Sequence, residues 1–196
     1  MKTIIPIRIF LMMLFCAAST LVKAQSGNKI SIGLGPESGI PFNAKHESVI
    51  GTNDYKTAYG GSLKAELPVN SQLHVTFSGG YTAFKTIFTL APNVQLDYAN
   101  STIPNSKFTY KYIPLKAGLR YYFIKYLYAG AEAGAAFKVG EAGGKTSFIY
   151  SGGIGAALPV GGHQAIDLGV RYERGYKVYD NTMSWLGIGL AYKYQF

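Results

Sequence analysis

The chain has 196 residues, enough for one domain, and carries 24 Gly, 16 Tyr and 11 Phe against only 15% charged residues. Its formal charge of +9 is scattered, with no basic run, which argues against a nucleic-acid partner. The single cysteine, Cys16, excludes a disulfide framework and a Cys-ligated metal.

Residues 1–24 read as a secretory signal peptide. Lys2 and Arg8 supply positive charge, and an apolar run extends from Ile9 to Ala18. Val22-Lys23-Ala24 then offers small residues where a signal peptidase reads, making Gln25 the expected first residue of a mature domain over 25–196. The run falls well short of the ~18–20 apolar residues of a helical span. Phe15 occupies a position where lipoprotein signals carry a small residue, so Cys16 is read as leaving with the signal. Loss of Lys2, Arg8 and Lys23 lowers the excess of cations over acids to six.

From residue 29 onward the hydropathy alternates with period two, the pattern of strands with one apolar face. The first segment, 29–36, sets Ile30, Ile32 and Leu34 against Lys29, Ser31 and Gly33. The second, 57–67, sets Tyr59, Leu63, Ala65 and Leu67 against Ser62, Lys64 and Glu66. The third, 72–86, sets Leu73, Val75, Phe77 and Tyr81 against His74, Thr76, Ser78 and Thr82. The fourth, 107–122, sets Ile113, Leu115, Leu119 and Tyr121 against Lys116, Gly118 and Arg120. In the fifth, 126–137, Leu127, Ala129 and Phe137 oppose Tyr128, Gly130 and Glu132. In the sixth, 146–158, Phe148, Tyr150, Ile154 and Leu158 oppose Ser151, Gly153 and Gly155. In the seventh, 164–174, Ile166, Leu168, Val170 and Tyr172 oppose Asp167, Arg171 and Glu173. The eighth, 185–196, alternates without a break: Leu186, Ile188, Leu190, Tyr192, Tyr194 and Phe196 against Trp185, Gly187, Gly189, Ala191, Lys193 and Gln195.

Eight such segments predict an all-β chain folded as an eight-stranded antiparallel up-and-down transmembrane β-barrel. The connections alternate between longer ones (41–56, 87–106, 138–145, 175–183) and tight ones (68–71, 123–125, 159–163), as in a barrel with exterior loops on one rim and periplasmic turns on the other. That sorting puts both termini in the periplasm and the protein in the outer membrane of a Gram-negative envelope. A soluble barrel of the lipocalin kind keeps its apolar rows inside. Here the charges share a face with most of the glycines, which suits a narrow lumen, and the Leu, Ile, Phe and Tyr rows suit lipid.

The segment from Tyr112-Ile113-Pro114-Leu115 to Arg120-Tyr121-Tyr122-Phe123 resembles a motif of Bacteroidota outer-membrane β-barrel proteins, often labelled PorT-like. The resemblance spans the mature chain in architecture and twelve residues in motif. It implies an outer-membrane barrel and assigns no activity. The row Tyr192, Tyr194 and Phe196 likewise looks like the signal read by the barrel insertion machinery.

The expected lumen charge network is Lys29, Lys64, Glu66, Lys116, Arg120, Glu132, Asp167, Arg171, Glu173 and Lys193, six cations and four anions. Charges inside so narrow a barrel must pair, which predicts a closed, ion-paired interior. The alternatives are a narrow anion-favouring pore, by the logic of charged rings, and an accessory subunit of an envelope secretion machine. The histidines His46, His74 and His163 fall in separate segments, and His46 with Glu47 and Asp54 makes only a loose rim set, so no catalytic, cofactor or metal residue is assigned. Gly33-x-Gly35 and Gly152-Gly153-x-Gly155 sit within strands and read as lumen clearance rather than phosphate loops. Phe88, Leu90, Val94, Leu96 and Tyr98 make the second long loop apolar, fit to lie over the barrel mouth or to bind a partner. Expected partners are outer-membrane lipid and lipopolysaccharide, the insertion machinery and an envelope protein, with the barrel itself a monomer.

Overall fold

The computed structural model describes residues 29–42, 45–48, 51–90, 106–140, 146–178 and 181–196. Nine strands carry almost all of them: β1 (Ser31–Phe42), β2 (Lys45–Ser48), β3 (Gly51–Pro68), β4 (Leu73–Leu90), β5 (Ser106–Tyr122), β6 (Leu127–Val139), β7 (Thr146–Gly161), β8 (Gln164–Val178) and β9 (Asn181–Gln195). Every pairing is antiparallel between neighbours, and β1 pairs with both β9 and β3. Closure therefore joins eight strands in an up-and-down ring, as expected, and leaves no open edge among them. The short β2 pairs with β3 alone, from Lys45↔Asp54 to Ser48↔Gly51.

The outward rows are the apolar ones. Leu34, Phe148 and Ile188 are more than 60% exposed, and Leu63, Leu115, Leu119, Ile154 and Leu190 stand beside them. A soluble fold buries such rows, whereas a membrane barrel turns them to hydrocarbon. On β5 the outward row runs apolar from Ile113 to Tyr121, just below Lys111. Eight residue steps of ~3.3 Å, tilted ~40°, give ~20 Å, most of the ~25 Å apolar band of an outer-membrane barrel. No helix among the described residues is long and apolar enough to cross a membrane, which leaves strand crossing untouched.

The strands run further at the loop rim than the sequence pattern suggests. Most of the expected first loop is strand: β1 continues to Phe42, and β2 forms a hairpin with the start of β3. Phe88 and Leu90 belong to β4 rather than to a loop, while Val94, Leu96 and Tyr98 lie outside the described residues. β8 and β9 extend to Val178 and Asn181, taking in most of the connection expected over 175–183. The reason is backbone hydrogen bonding. Beyond the apolar band both faces meet water, so hydropathy stops alternating, yet N–H and C=O groups still gain by pairing. A bulge between Arg174 and Tyr176 also shifts the parity of β8. It is centred on Gly175, whose φ of +126° suits glycine and where a Cβ would lie 2.1 Å from the Phe148 carbonyl oxygen.

At the other rim the turns are tight. Gln72 and Leu73 donate backbone N–H bonds to Asn70 Oδ1. Phe196 N–H donates to the Ile30 carbonyl at 2.9 Å, so Lys29 and Phe196 lie together at this rim.

Candidate functional site

An eight-stranded barrel is just wide enough inside for side chains to fill, so whatever the inward rows carry must meet. The inward rows build three layers, stacked from the loop rim to the turn rim.

The layer nearest the loops is aromatic. Phe84 from β4, Tyr112 from β5, Tyr176 from β8 and Trp185 from β9 pack edge to face with ring centroids 5.1–6.0 Å apart. Ile149 and Met183 fill the gaps, and none of the six is more than 3% exposed. The sequence pattern turns Trp185 inward but does not predict an aromatic layer around it. For Phe84 and Tyr112 the signal was present, since both share the parity of inward Thr82 and Lys116. For Tyr176 it was hidden by the bulge at Gly175.

The middle layer is an ion-paired chain. Arg171 grips Glu37 with two guanidinium N–H groups, Nη2 to Oε2 being 2.6 Å, and its Nε lies 3.2 Å from Glu173 Oε2. Lys116 bonds the same Glu173 oxygen and reaches Glu132 at 3.7 Å, while Lys64 closes on the other Glu132 oxygen at 3.2 Å. Tyr176 and Trp185 donate to Glu173 Oε1 from above, so this fully buried carboxylate joins the two layers. Ser62 and Ser78 donate to Glu37 and Glu132.

The third layer is centred on Arg120, which bonds Glu66 and Asp167 and stacks on the Tyr128 ring, its Cζ 3.7 Å from the centroid. Lys193 lies 2.6 Å from Glu66 and donates to Tyr122 at 3.0 Å; Tyr122 donates to Glu66 and Tyr128 to Asp167. His74 stands 3.4 Å from Glu66. A cavity of about 90 Å³ lies between the middle and lower networks, walled in part by Gly33, Gly35, Gly153, Gly169 and Gly189. The Thr76 hydroxyl lines it and finds no partner in the protein, a setting that suits ordered water.

The structure thus gathers nine of the expected lumen residues: Lys64, Glu66, Lys116, Arg120, Glu132, Asp167, Arg171, Glu173 and Lys193. Lys29 is a correction. It shares the inward parity but precedes the first residue of β1, and it stays exposed at the rim with Nζ 2.9 Å from His163 Nδ1. Solvent is within reach there, so nothing drives the ammonium inside. Glu37 joins the network although the sequence pattern ends its segment at Pro36, because β1 continues through that proline. With this exchange the network holds five cations and five carboxylates instead of six and four. Each tier balances separately: Lys64, Lys116 and Arg171 with Glu37, Glu132 and Glu173; Arg120 and Lys193 with Glu66 and Asp167.

The histidines do not converge. His46 sits on β2 opposite Asn53, His163 is in a turn, and Asp54 is bound to Lys56. No group of three or more His, Cys, Asp or Glu among the described residues is placed to hold a metal ion. Tyr192, Tyr194 and Phe196 are exposed at the turn rim, and Tyr194 and Phe196 pack edge to face at 5.1 Å.

No protein-family model matches the sequence, and no curated protein does. Solved structures do match. The chain aligns with the outer membrane protein OprG of Pseudomonas aeruginosa at a TM-score of 0.57 and 9% identity, covering 86% of this chain and 96% of that one. Ail, the attachment invasion locus protein of Yersinia pestis, aligns at 0.52 and 19% identity over 86% and 100%. The outer membrane protein AlkL in lipid bilayers aligns at 0.50 and 15% identity over 88% and 93%. The chain has the fold of a small outer membrane barrel. These neighbours are outer membrane proteins.

Proposed function

We propose that the protein is a closed, monomeric outer-membrane barrel of a Gram-negative envelope, with a structural or interaction role performed by its loop rim and outward surface rather than by its lumen. The role is non-enzymatic and uses no cofactor. Residues 1–24 are a signal peptide, 25–196 the barrel domain, and the tight-turn rim with Lys29 and Phe196 faces the periplasm. Tyr192, Tyr194 and Phe196 serve the insertion machinery. The stretch 112–123 aligns the protein with the PorT-like Bacteroidota barrels it resembles.

The observation that carries this reading is the seal across the lumen: a fully buried aromatic layer resting on an electroneutral ion-paired chain. The anion pore loses its basis, because selectivity by charged rings needs an excess of one sign and the network has none. That one structural neighbour is an attachment protein supports work done at the rim. Planar bilayer recording tests the closed scaffold: the reconstituted barrel should give no steady current, and steady anion-selective conductance would overturn it. A compact monomer in buffer without detergent would overturn the membrane location itself.

A further inference from the structure

The described outward face carries its unpaired charge at one rim. Among strand residues whose side chains are described, and apart from Lys56 with its partner Asp54, the outward cations Lys85, Lys107, Lys111 and Arg174 all stand at loop-rim ends, and the rows below them carry no charge. Three of the four lie together. Lys85 on β4 pairs directly with Thr109 on β5, so Lys107 and Lys111 occupy the two diagonal positions beside it, with Cα separations of ~7–8 Å. On its other side Lys85 faces Thr57 of β3, and its Nζ lies 5.1 Å from the Tyr59 ring centroid. All three lysines are exposed. No carboxylate among the described residues forms an ion pair with them; the nearby Asp54 is held by Lys56.

Three ammonium groups crowded on one face repel each other, and no described carboxylate supplies a counter-charge. Their height is informative. They sit immediately above the apolar band, at the level of lipid headgroups, on the rim with the longer connections. At the opposite rim the exposed residues include Tyr121, Phe123, Ile124, Val160 and Phe196, and Lys29 and Lys125 stand on separate strand ends. We infer that Lys85, Lys107 and Lys111, with the flanking hydroxyls of Thr57 and Thr109, form a binding site for the phosphates of an outer-leaflet glycolipid, the lipid A portion of lipopolysaccharide. The ammonium groups meet the phosphates as charge-assisted donors, the threonines meet sugar hydroxyls, and the acyl chains lie along Tyr81, Ile113 and Leu115. The inference rests on the proposed orientation, with the loop rim outside.

Native mass spectrometry of the full barrel released from micelles containing lipid A reads the site directly. Wild type should retain lipid A at least tenfold more than the K85Q/K107Q/K111Q variant, and at least tenfold more than it retains lipid A stripped of phosphate. The K29Q/K125Q variant, altered at the other rim, should match wild type. Equal retention by the triple variant overturns the inference. So does equal retention of dephosphorylated lipid A, a comparison on wild type that stands even if the triple variant folds poorly. Retention of phosphatidylglycerol to the same extent also overturns it, since the surface then reads charge in any headgroup. Labelling of V139C by a membrane-impermeant maleimide on intact cells reports orientation separately, so an inverted barrel and a missing site give different results.

Discussion

Removing the positive charge of Lys116 is the sharpest test of the sealed interior. Lys116 holds Glu173, which is fully buried, and also reaches Glu132. In Lys116→Met the aliphatic stem stays and the middle layer becomes one charge negative. Glu173 keeps Arg171, but that guanidinium is already committed to both oxygens of Glu37. Glu132 keeps only Lys64 as a cation. Breaking a buried pair by removing one partner costs about 3–5 kcal/mol, most of it the uncompensated charge left behind. In Lys116→Met/Glu173→Gln the layer is neutral again, and the new amide oxygen still accepts from Tyr176 and Trp185. The double variant should therefore fall short of the summed single losses by about 2–3 kcal/mol. Trp185 is the only tryptophan and lies in the aromatic layer, so its emission follows urea unfolding of the barrel in lipid vesicles. A loss below about 1 kcal/mol for Lys116→Met, or strict additivity in the cycle, would refute the claim that this layer is a buried, coupled network.

Three further outcomes rest on the same packing. Leu168→Arg or Val170→Arg, both outward on β8, should cost ~2–4 kcal/mol in lipid if they face mid-bilayer, and an unchanged unfolding free energy would contradict the facing. Gly155→Val would place a Cβ 2.3 Å from the Tyr128 hydroxyl and push that ring off Asp167 and Arg120; a loss of about 1–3 kcal/mol is expected, and near-neutrality would mean the lower layer is loosely held. Trp185→Ala removes the largest ring of the upper layer and should cost about 3–5 kcal/mol, measured by tyrosine emission, with a value near zero counting against a packed seal.

Much of this fold is legible in the sequence because a small barrel imposes one rule on every strand. Successive side chains must alternate between lipid and lumen, so Leu168 and Val170 declare the outside and Asp167 and Arg171 the inside, without any long-range information. What escaped has three physical causes. Where both faces meet water the alternation carries no hydropathy, so β2 and the ends of β4, β8 and β9 read as loop. Glu37 follows Pro36, and proline reads as a strand stop, although β1 carries it at an outward position and continues. Phe84 and Tyr112 break the expectation that an inward residue is small or charged. The aromatic layer arises where the lumen needs filling near the loops and the charges have already paired further down.

Closure, neutrality and location are consequences of one another in this molecule. The outward rows can be free of charge in mid-barrel only because every described mid-barrel charge is turned inward. Eight strands leave those charges too little room to stay hydrated, so each finds a partner within the lumen. Pairing drives the cation and carboxylate counts to equality, and equality removes the net field a selective pore would use. Among strand residues whose side chains are described, the outward cations without a carboxylate partner stand where the apolar band ends, at Lys85, Lys107, Lys111 and Arg174. A barrel sealed in this way can interact only through its rim and its lipid-facing surface, and the unpaired lysines are where those two meet.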